Sequence, residues 1–347
     1  KDVLRNLSIV YSPLNGAGIS CVPRCLAEHG FDNISIPPTQ DHPDGHFPTC
    51  PYPNPEIKEA LAVALALAEE KGSDLVLATD PDCDRVGAAV RQGNEYYLIT
   101  GNEMGVLLLD FLCQRRMAAK TMPERPIAVK TIVTTPMAAK VAEHYGVELL
   151  DVLTGFKFIG EQIGLLEKNG ESERYIFGFE ESYGCLSGSF VRDKDAVNAS
   201  LLICEMTAWY RAQGKTLVDV LDKLYQRYGY YKSKLLSFTF EGAAGFTTML
   251  ELMDGLRQNP PQEFAGIAVT GYEDYLIGNN VPVNLPRSNV LRFYLASGAE
   301  VVVRPSGTEP KLKVYLTVVQ KDSMQGDVLL KRLTGCFMAW ANGGAET

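Results

Sequence analysis

The sequence predicts an α/β protein in which two α/β domains with mixed or parallel sheets are followed by a C-terminal α+β domain. Three observations lead there. Apolar strand-like runs alternate with helical periodicities from the start of the chain, and the alternation restarts after Thr100 and Gly101. Past Tyr228-Gly229-Tyr230-Tyr231 the style changes to alternating strands beside segregated helices. These breaks set expected domains at 1–100, 101–227 and 228–347. A chain of 347 residues has room for them, at roughly 100 to 200 residues per domain.

In the first domain, residues 7–11 predict a strand, 20–30 a helix, 34–36 a short strand and 41–55 a Pro-rich loop. Asn54 and Pro55 suit the cap and first turn of a helix, and Ile57, Leu61, Ala64, Leu65 and Ala68 recur at helical spacing until Gly72. A buried strand follows at 75–78, and the strand, helix, strand order implies a mostly parallel sheet. The second domain reads as helix 104–117, strand 127–132, helix 136–145, strand 148–152, helix 158–168, strand 175–179 and helices 195–213 and 217–225. In the third, 235–240, 299–304 and 312–319 predict strands, and 247–257 and 327–340 predict helices.

Composition narrows the function classes. A formal net charge of -9 argues against broad capture of nucleic acid or of an anionic membrane by charge alone, while a few placed cations suffice for small phosphorylated ligands. Asp110 interrupts the apolar stretch 106–112, so no run reaches the roughly 18 residues of a membrane span. The 8 cysteines include no Cys-x-x-Cys pair, which predicts reduced thiols and a cytoplasmic protein. Residue 1 is Lys rather than Met, so a processed chain or a piece of a longer one is expected.

The sharpest motif is Asp80-Pro81-Asp82-Cys83-Asp84-Arg85, just after the strand at 75–78. Carboxylates at alternate positions project to one side of an extended segment and repel one another unless a cation sits among them. Hard oxygen ligands favour Mg²⁺ or Ca²⁺, and an EF-hand is excluded because Arg85 and Arg91 stand where Gly and Glu are needed. The plainer alternative is a solvated acidic turn. The second motif is Arg304-Pro305-Ser306-Gly307-Thr308-Glu309-Pro310-Lys311, between two strands; it suits a phosphate clamp or, without function, a hairpin turn. In the third, Gly178-Phe179-Glu180-Glu181-Ser182-Tyr183-Gly184, Glu180 and Ser182 share one face while Glu181 turns aside, a pairing that suits sugar hydroxyls. Thr154-Gly155-Phe156-Lys157 and Arg192-Asp193-Lys194-Asp195 offer lysines for phosphate binding, or for proton transfer if neighbours lower the pKa. Gly16-Ala17-Gly18 is half of a dinucleotide turn, and His42, His46 and Cys50 are an incomplete zinc set.

Taken in order, these motifs resemble the α-D-phosphohexomutase family, and within it the phosphoglucomutase branch, as the second, third and fourth of that family's four domains. The resemblance implies that Asp80, Asp82 and Asp84 bind Mg²⁺ with Arg85 beside them, that Glu180 and Ser182 bind the sugar, and that Arg304, Ser306, Gly307 and Thr308 bind the substrate phosphate. Thr154, Gly155, Lys157 and Arg192 join the substrate site and Lys194 moves a proton; Pro53-Asn54-Pro55-Glu56 is a supporting match. The implied partners are glucose 1-phosphate, glucose 6-phosphate and glucose 1,6-bisphosphate, with no nucleic acid or membrane. The family's phosphoserine loop, Thr-Ala-Ser-His-Asn-Pro, does not occur in these residues, and Gly184 stands where phosphomannomutase-like members carry His. The chain alone is therefore expected to be inactive. A non-catalytic sugar-phosphate binding protein and a phosphomannomutase are the alternatives.

Overall fold

The computed structural model describes residues 6–281, 285–307 and 310–341. The chain forms two compact units, Lys1–Lys223 and Leu224–Thr347.

The first unit holds two sheets. β1 (Ile9–Ser12) leads through a 3-10 turn to α1 (Val22–Glu28) and β2 (Ile34–Ser35), and α2 (Ala62–Lys71) leads to β3 (Leu75–Thr79), β4 (Val86–Gln92) and β5 (Glu95–Ile99). The strand order is β2-β1-β3-β4-β5. The pairs among β2, β1 and β3 are parallel, whereas β4 and β5 add antiparallel to β3. The sheet is thus mixed. The hairpin β4–β5 escapes the periodicity reading because β4 is buried at five consecutive positions and does not alternate. The helix expected from Asn54 begins later. Asn54 Oδ1 accepts from the Glu56 amide instead, closing a local turn, and α2 starts at Ala62.

The second sheet is built from β6 (Ile127–Thr131), β7 (Glu148–Val152), β8 (Tyr175–Phe179) and β9 (Cys185–Leu186), in the order β7-β6-β8-β9. Its helices are α3 (Gly101–Ala119), α4 (Met137–Tyr145), α5 (Phe156–Lys168) and α6 (Ala196–Arg211). Thr100 and Glu103 form a reciprocal capping box at the start of α3, so two otherwise orphaned amides are satisfied where the second lobe begins. Ile159 and Ile163 of α5 pack on Ile127, Val129 and Tyr175 of the sheet. α6 packs against β3 and β4 of one sheet and against α3 and β9 of the other, which joins both lobes into one unit. α7 (Leu217–Tyr228) then carries the chain across the unit boundary.

The second unit is one antiparallel sheet with helices. Its strands are β10 (Tyr230–Thr239), β11 (Glu263–Phe264), β12 (Ile267–Asp274), β13 (Leu291–Leu295), β14 (Glu300–Pro305) and β15 (Lys311–Gln320), ordered β10-β15-β14-β13-β12-β11. α8 (Gly242–Gln258) and α9 (Ser323–Ala341) complete it. Leu312, Val314, Leu316 and Val318 alternate toward a core shared with Met249, Met253, Leu333 and Phe337, the period-two pattern of a sheet covered on one face. β11, β12 and β13 were not expected from sequence. The alternation in β12 carries Thr270, Glu273 and Asp274 among its apolar residues, which weakens the strand signal.

No described helix is long and apolar enough to cross a membrane. All eight cysteines are free thiols.

Candidate active site

The metal-type loop starts at the carboxyl end of β3, beside the point where the sheet changes from parallel to antiparallel pairing. Asp80 folds it. Its Oδ1 accepts from the backbone amides of Asp84 at 3.0 Å and Arg85 at 2.9 Å, and its carbonyl accepts from Cys83 at 3.0 Å. This turn forces Cys83 to φ 60, a left-handed conformation that costs a non-glycine residue energy. The result is that Asp80, Asp82 and Asp84 each present a carboxylate oxygen within 4.8 Å of the others. Asp80 is buried, Asp84 half-buried and Asp82 exposed.

Such a cluster opposes itself. Burial pushes the Asp80 carboxyl up to about 7, helped by the negative charges of Asp84 and Asp82 and countered by the Arg85 amide. Two cations offset part of the repulsion. Arg85 Nε lies 3.8 Å from Asp80 and 3.7 Å from Asp84, and Lys194 Nζ lies 2.8 Å from Asp84 and 2.9 Å from Asp193. An all-oxygen donor set with uncompensated negative charge fits a hard divalent cation such as Mg²⁺.

The sugar-type loop leaves the carboxyl end of β8 and pairs directly with the metal-type loop. The Val86 amide donates to the Tyr183 carbonyl at 3.2 Å, and Arg85 and Gly184 form a β-bridge. Glu180 is 6% exposed, and its Oε1 accepts from the Gly155 amide at 2.9 Å. Burial raises its carboxyl to about 7, with Glu181 adding to the rise and the Gly155 bond, Lys194 and Arg85 opposing it. Ser182 is half-buried on the same loop, and Tyr183 adopts φ 68. Gly184 has a steric reason: a Cβ there would stand 2.2 Å from Cδ of Lys194, so the lysine stem occupies the space a side chain would need.

Gly155, at φ 122, opens α5 in a conformation that favours glycine and turns its amide toward Glu180. Beside it the Thr154 hydroxyl is buried and lacks a hydrogen-bond partner. Lys157 is exposed, its ammonium 5.0 Å from the Phe158 ring. Arg192 is exposed and paired with Glu167 at 2.6 Å. For Lys194, burial lowers the pKa, but the bonds to Asp84 and Asp193 outweigh it and the net shift is upward. The neighbours therefore raise this pKa rather than lower it, and the group suits a proton donor better than a base.

Asp195 caps α6 by accepting from Val197 at 2.9 Å and Asn198 at 3.0 Å, which fixes the backbone next to Lys194. Glu56 is a site residue that sequence reasoning left without a role: its Oε1 accepts from Arg85 Nη1 at 3.0 Å. Its presence in a Pro-Asn-Pro-Glu run was the available signal. His42 lies against Asp41 and Cys50 donates to the Tyr52 carbonyl, each occupied locally.

In the second unit, the candidate phosphate loop is the hairpin between β14 and β15. Arg304 pairs in register with Lys313, and cross-strand partners share a face, so two cations stand side by side. Lys313 was not singled out from sequence because it lies past the motif. Ser306 is half-buried, with its amide donating to Lys311 O at 2.7 Å, and Gly307 is exposed. Thr308 lies outside the described residues.

Comparison with known proteins matches three segments of the chain. Residues 1–93 match the model of phosphoglucomutase/phosphomannomutase alpha/beta/alpha domain II, 100–228 that of alpha/beta/alpha domain III, and 252–325 that of the C-terminal domain. A phosphoglucomutase of Staphylococcus aureus (strain USA300) is 36% identical over 322 residues, covering 90% of this chain and 57% of the relative. The chain thus spans little more than half the length of the curated relatives it matches. The parafusin phosphoglucomutase of Paramecium, in an open form, superposes with a TM-score of 0.68 at 19% identity, covering 99% of this chain and 61% of that one. An Aspergillus fumigatus N-acetylphosphoglucosamine mutase, solved with GlcNAc-6P and magnesium, gives 0.53 at 15% identity over 96% of this chain and 62% of its own.

Proposed function

The chain belongs to the phosphoglucomutase/phosphomannomutase family, and on that premise we propose that it is the greater part of a Mg²⁺-dependent phosphohexomutase interconverting glucose 1-phosphate and glucose 6-phosphate. The observation that carries the reading is the Asp80, Asp82, Asp84 cluster, whose ligand atoms lie within 4.8 Å of one another at the end of β3. A structural neighbour solved with a hexosamine phosphate and magnesium supports the choice of ion. When bound, Mg²⁺ supplies charge compensation for a transferring phosphoryl group.

The residues of the chain do the rest. Glu180 and Ser182 accept and donate hydrogen bonds to sugar hydroxyls, and the buried setting of Glu180 makes each such bond count more than it would in water. Lys194, charged and held by Asp84 and Asp193, is poised to deliver a proton to a departing sugar oxygen. Arg304, Ser306, Gly307 and Thr308 hold the phosphate that is not reacting, with Thr154, Gly155, Lys157 and Arg192 in the substrate set. The phosphoryl-carrying serine lies outside these residues, which contain no Thr-Ala-Ser-His-Asn-Pro loop. Such a reaction must present either phosphate of a bisphosphorylated intermediate, so glucose 1,6-bisphosphate is the expected activator.

The test uses the natural full-length protein, with glucose 1-phosphate and glucose 6-phosphate and with or without Mg²⁺. Interconversion that chelation abolishes supports the reading. A folded protein that converts neither ester in the presence of Mg²⁺ and the bisphosphate rejects it. Mannose 1-phosphate, assayed alongside, measures the hexose preference.

A further inference from the structure

Adjacent residues of the sugar-type loop face opposite ways, and Glu181 turns from the site into the end of β6. Its Oε2 lies 3.2 Å from Thr134 Oγ1 and 3.3 Å from Thr131 Oγ1, and these two hydroxyls are 2.7 Å apart. Thr131 is 0% exposed and Thr134 2%. Beneath them is a buried ammonium. Lys130, 2% exposed, donates through Nζ to the carbonyls of Thr131 at 3.2 Å and Thr134 at 3.3 Å and pairs with Asp151 at 2.8 Å. A buried charge is tolerated only when paired and hydrogen-bonded; here Asp151 of β7 supplies the pair and the turn that displays the two hydroxyls supplies the hydrogen bonds.

Resting on the mutase reading above, we propose that Glu181 is a positioning residue: its carboxyl group docks on the Thr131 and Thr134 hydroxyls, on a turn braced by Lys130 and Asp151, and thereby sets the orientation in which Glu180 and Ser182 meet the sugar. The geometry has a further consistency. Three oxygens in mutual contact are best joined by three protons, of which the hydroxyls supply two; burial raises the Glu181 carboxyl pKa, in the direction that retains the third. The docking also explains why the loop tolerates a left-handed Tyr183, since Glu181 pins one side of it and the Val86 bond to the Tyr183 carbonyl pins the other.

The seat can be removed without touching any surface a sugar could reach. In the natural full-length protein, Thr134→Val keeps the volume and deletes the hydroxyl, while Thr134→Ser keeps the hydroxyl. The expected result for Thr134→Val is a roughly tenfold rise in KM for glucose 1-phosphate with a smaller change in kcat and unchanged Mg²⁺ affinity by calorimetry, restored by Thr134→Ser. Glu181→Ala raises KM in the same sense, and the Glu181→Ala, Thr134→Val double variant is no worse than the poorer single one, because both act through one contact. Unchanged KM in Thr134→Val, or fully additive losses, overturns the proposal. Amide exchange gives an activity-free readout, and it covers the case in which Thr134→Val fails to fold, since Glu181→Ala carries the same expectation. The Glu180 and Val86 amides exchange about tenfold faster in either variant if the loop has lost its seat, and at the parent rate if it has not. A protein without mutase activity but with this exchange response would fail the functional reading alone.

Discussion

The two regions that carry the site motifs solve opposite electrostatic problems by different means. In the first unit, three carboxylates are gathered at the end of β3, and burial, backbone bonds to Asp80, Arg85, Lys194 and a second loop all constrain them. In the second unit, Arg304 and Lys313 are brought together by register alone, on a hairpin whose turn is exposed at Gly307. The first arrangement is a network, in which each group has several neighbours whose energies couple. The second is a local pair set by strand pairing. Substitutions in the network should therefore alter more than one property at once, whereas those in the hairpin should alter a single one.

The largest expected effect tests the network. Asp82 is the exposed member of the cluster, so Asp82→Asn removes a ligand charge with little disturbance to the fold; Mg²⁺ affinity should fall on the order of tenfold or more. Calorimetry that finds parent affinity would show that the three acids are a solvated turn. Next is Arg304→Ala, which removes a charge-assisted bond and should weaken hexose phosphate binding by about 1.5–3 kcal/mol while leaving Mg²⁺ affinity untouched. Equal losses for hexose phosphate and for Mg²⁺ would mean that the hairpin is not the separate element its register describes.

How much of this was legible in the sequence depends on the range of the interaction. The Asp80 to Asp84 cluster could be read because alternation along an extended segment is a local rule, and the same rule foretold that Glu181 faces away from Glu180. The pairing of the two loops through Val86 and Tyr183 could not be read, because it joins residues from different lobes. Glu56 was visible as part of a run, but its grip on Arg85 spans 29 positions. The upward shift of the Lys194 pKa could not be read for the same reason, since Asp84 is brought to it by folding. Strands β4, β12 and β13 were missed where burial on both faces or interspersed polar residues hid the period.

A smaller effect sharpens the network further. Glu180 carries a carboxyl raised to about 7 by burial. As a hydrogen-bond acceptor for sugar hydroxyls it must be ionised, so KM for hexose phosphate should rise as pH falls through 7. Stability should respond with the opposite sign. The folded state holds this proton more tightly than the unfolded chain does, so the Glu180 contribution is fully present below the ordinary carboxylate range and is lost as pH rises through 7. Replacing Glu180 by Gln should flatten both profiles. A KM that stays pH-dependent in Glu180→Gln would assign the titration to another group.

The smallest effect concerns how the network is held. Asp195 accepts from the Val197 and Asn198 amides at the start of α6, the helix that contacts both sheets of the first unit. Asp195→Ala should cost about 1 kcal/mol, read as a fall in Tm of roughly 2–4 °C. Because Lys194 precedes the cap directly, the substitution should also loosen the Lys194 to Asp84 pair, so Mg²⁺ affinity should change along with Tm. Asn at this position restores the cap without the charge. If Asp195→Asn recovers both Tm and Mg²⁺ affinity, the cap acts by fixing the backbone; if it recovers Tm alone, the charge of Asp195 acts on the cluster from a distance. The hairpin offers the control, since Lys313→Ala should weaken hexose phosphate binding without moving Mg²⁺ affinity.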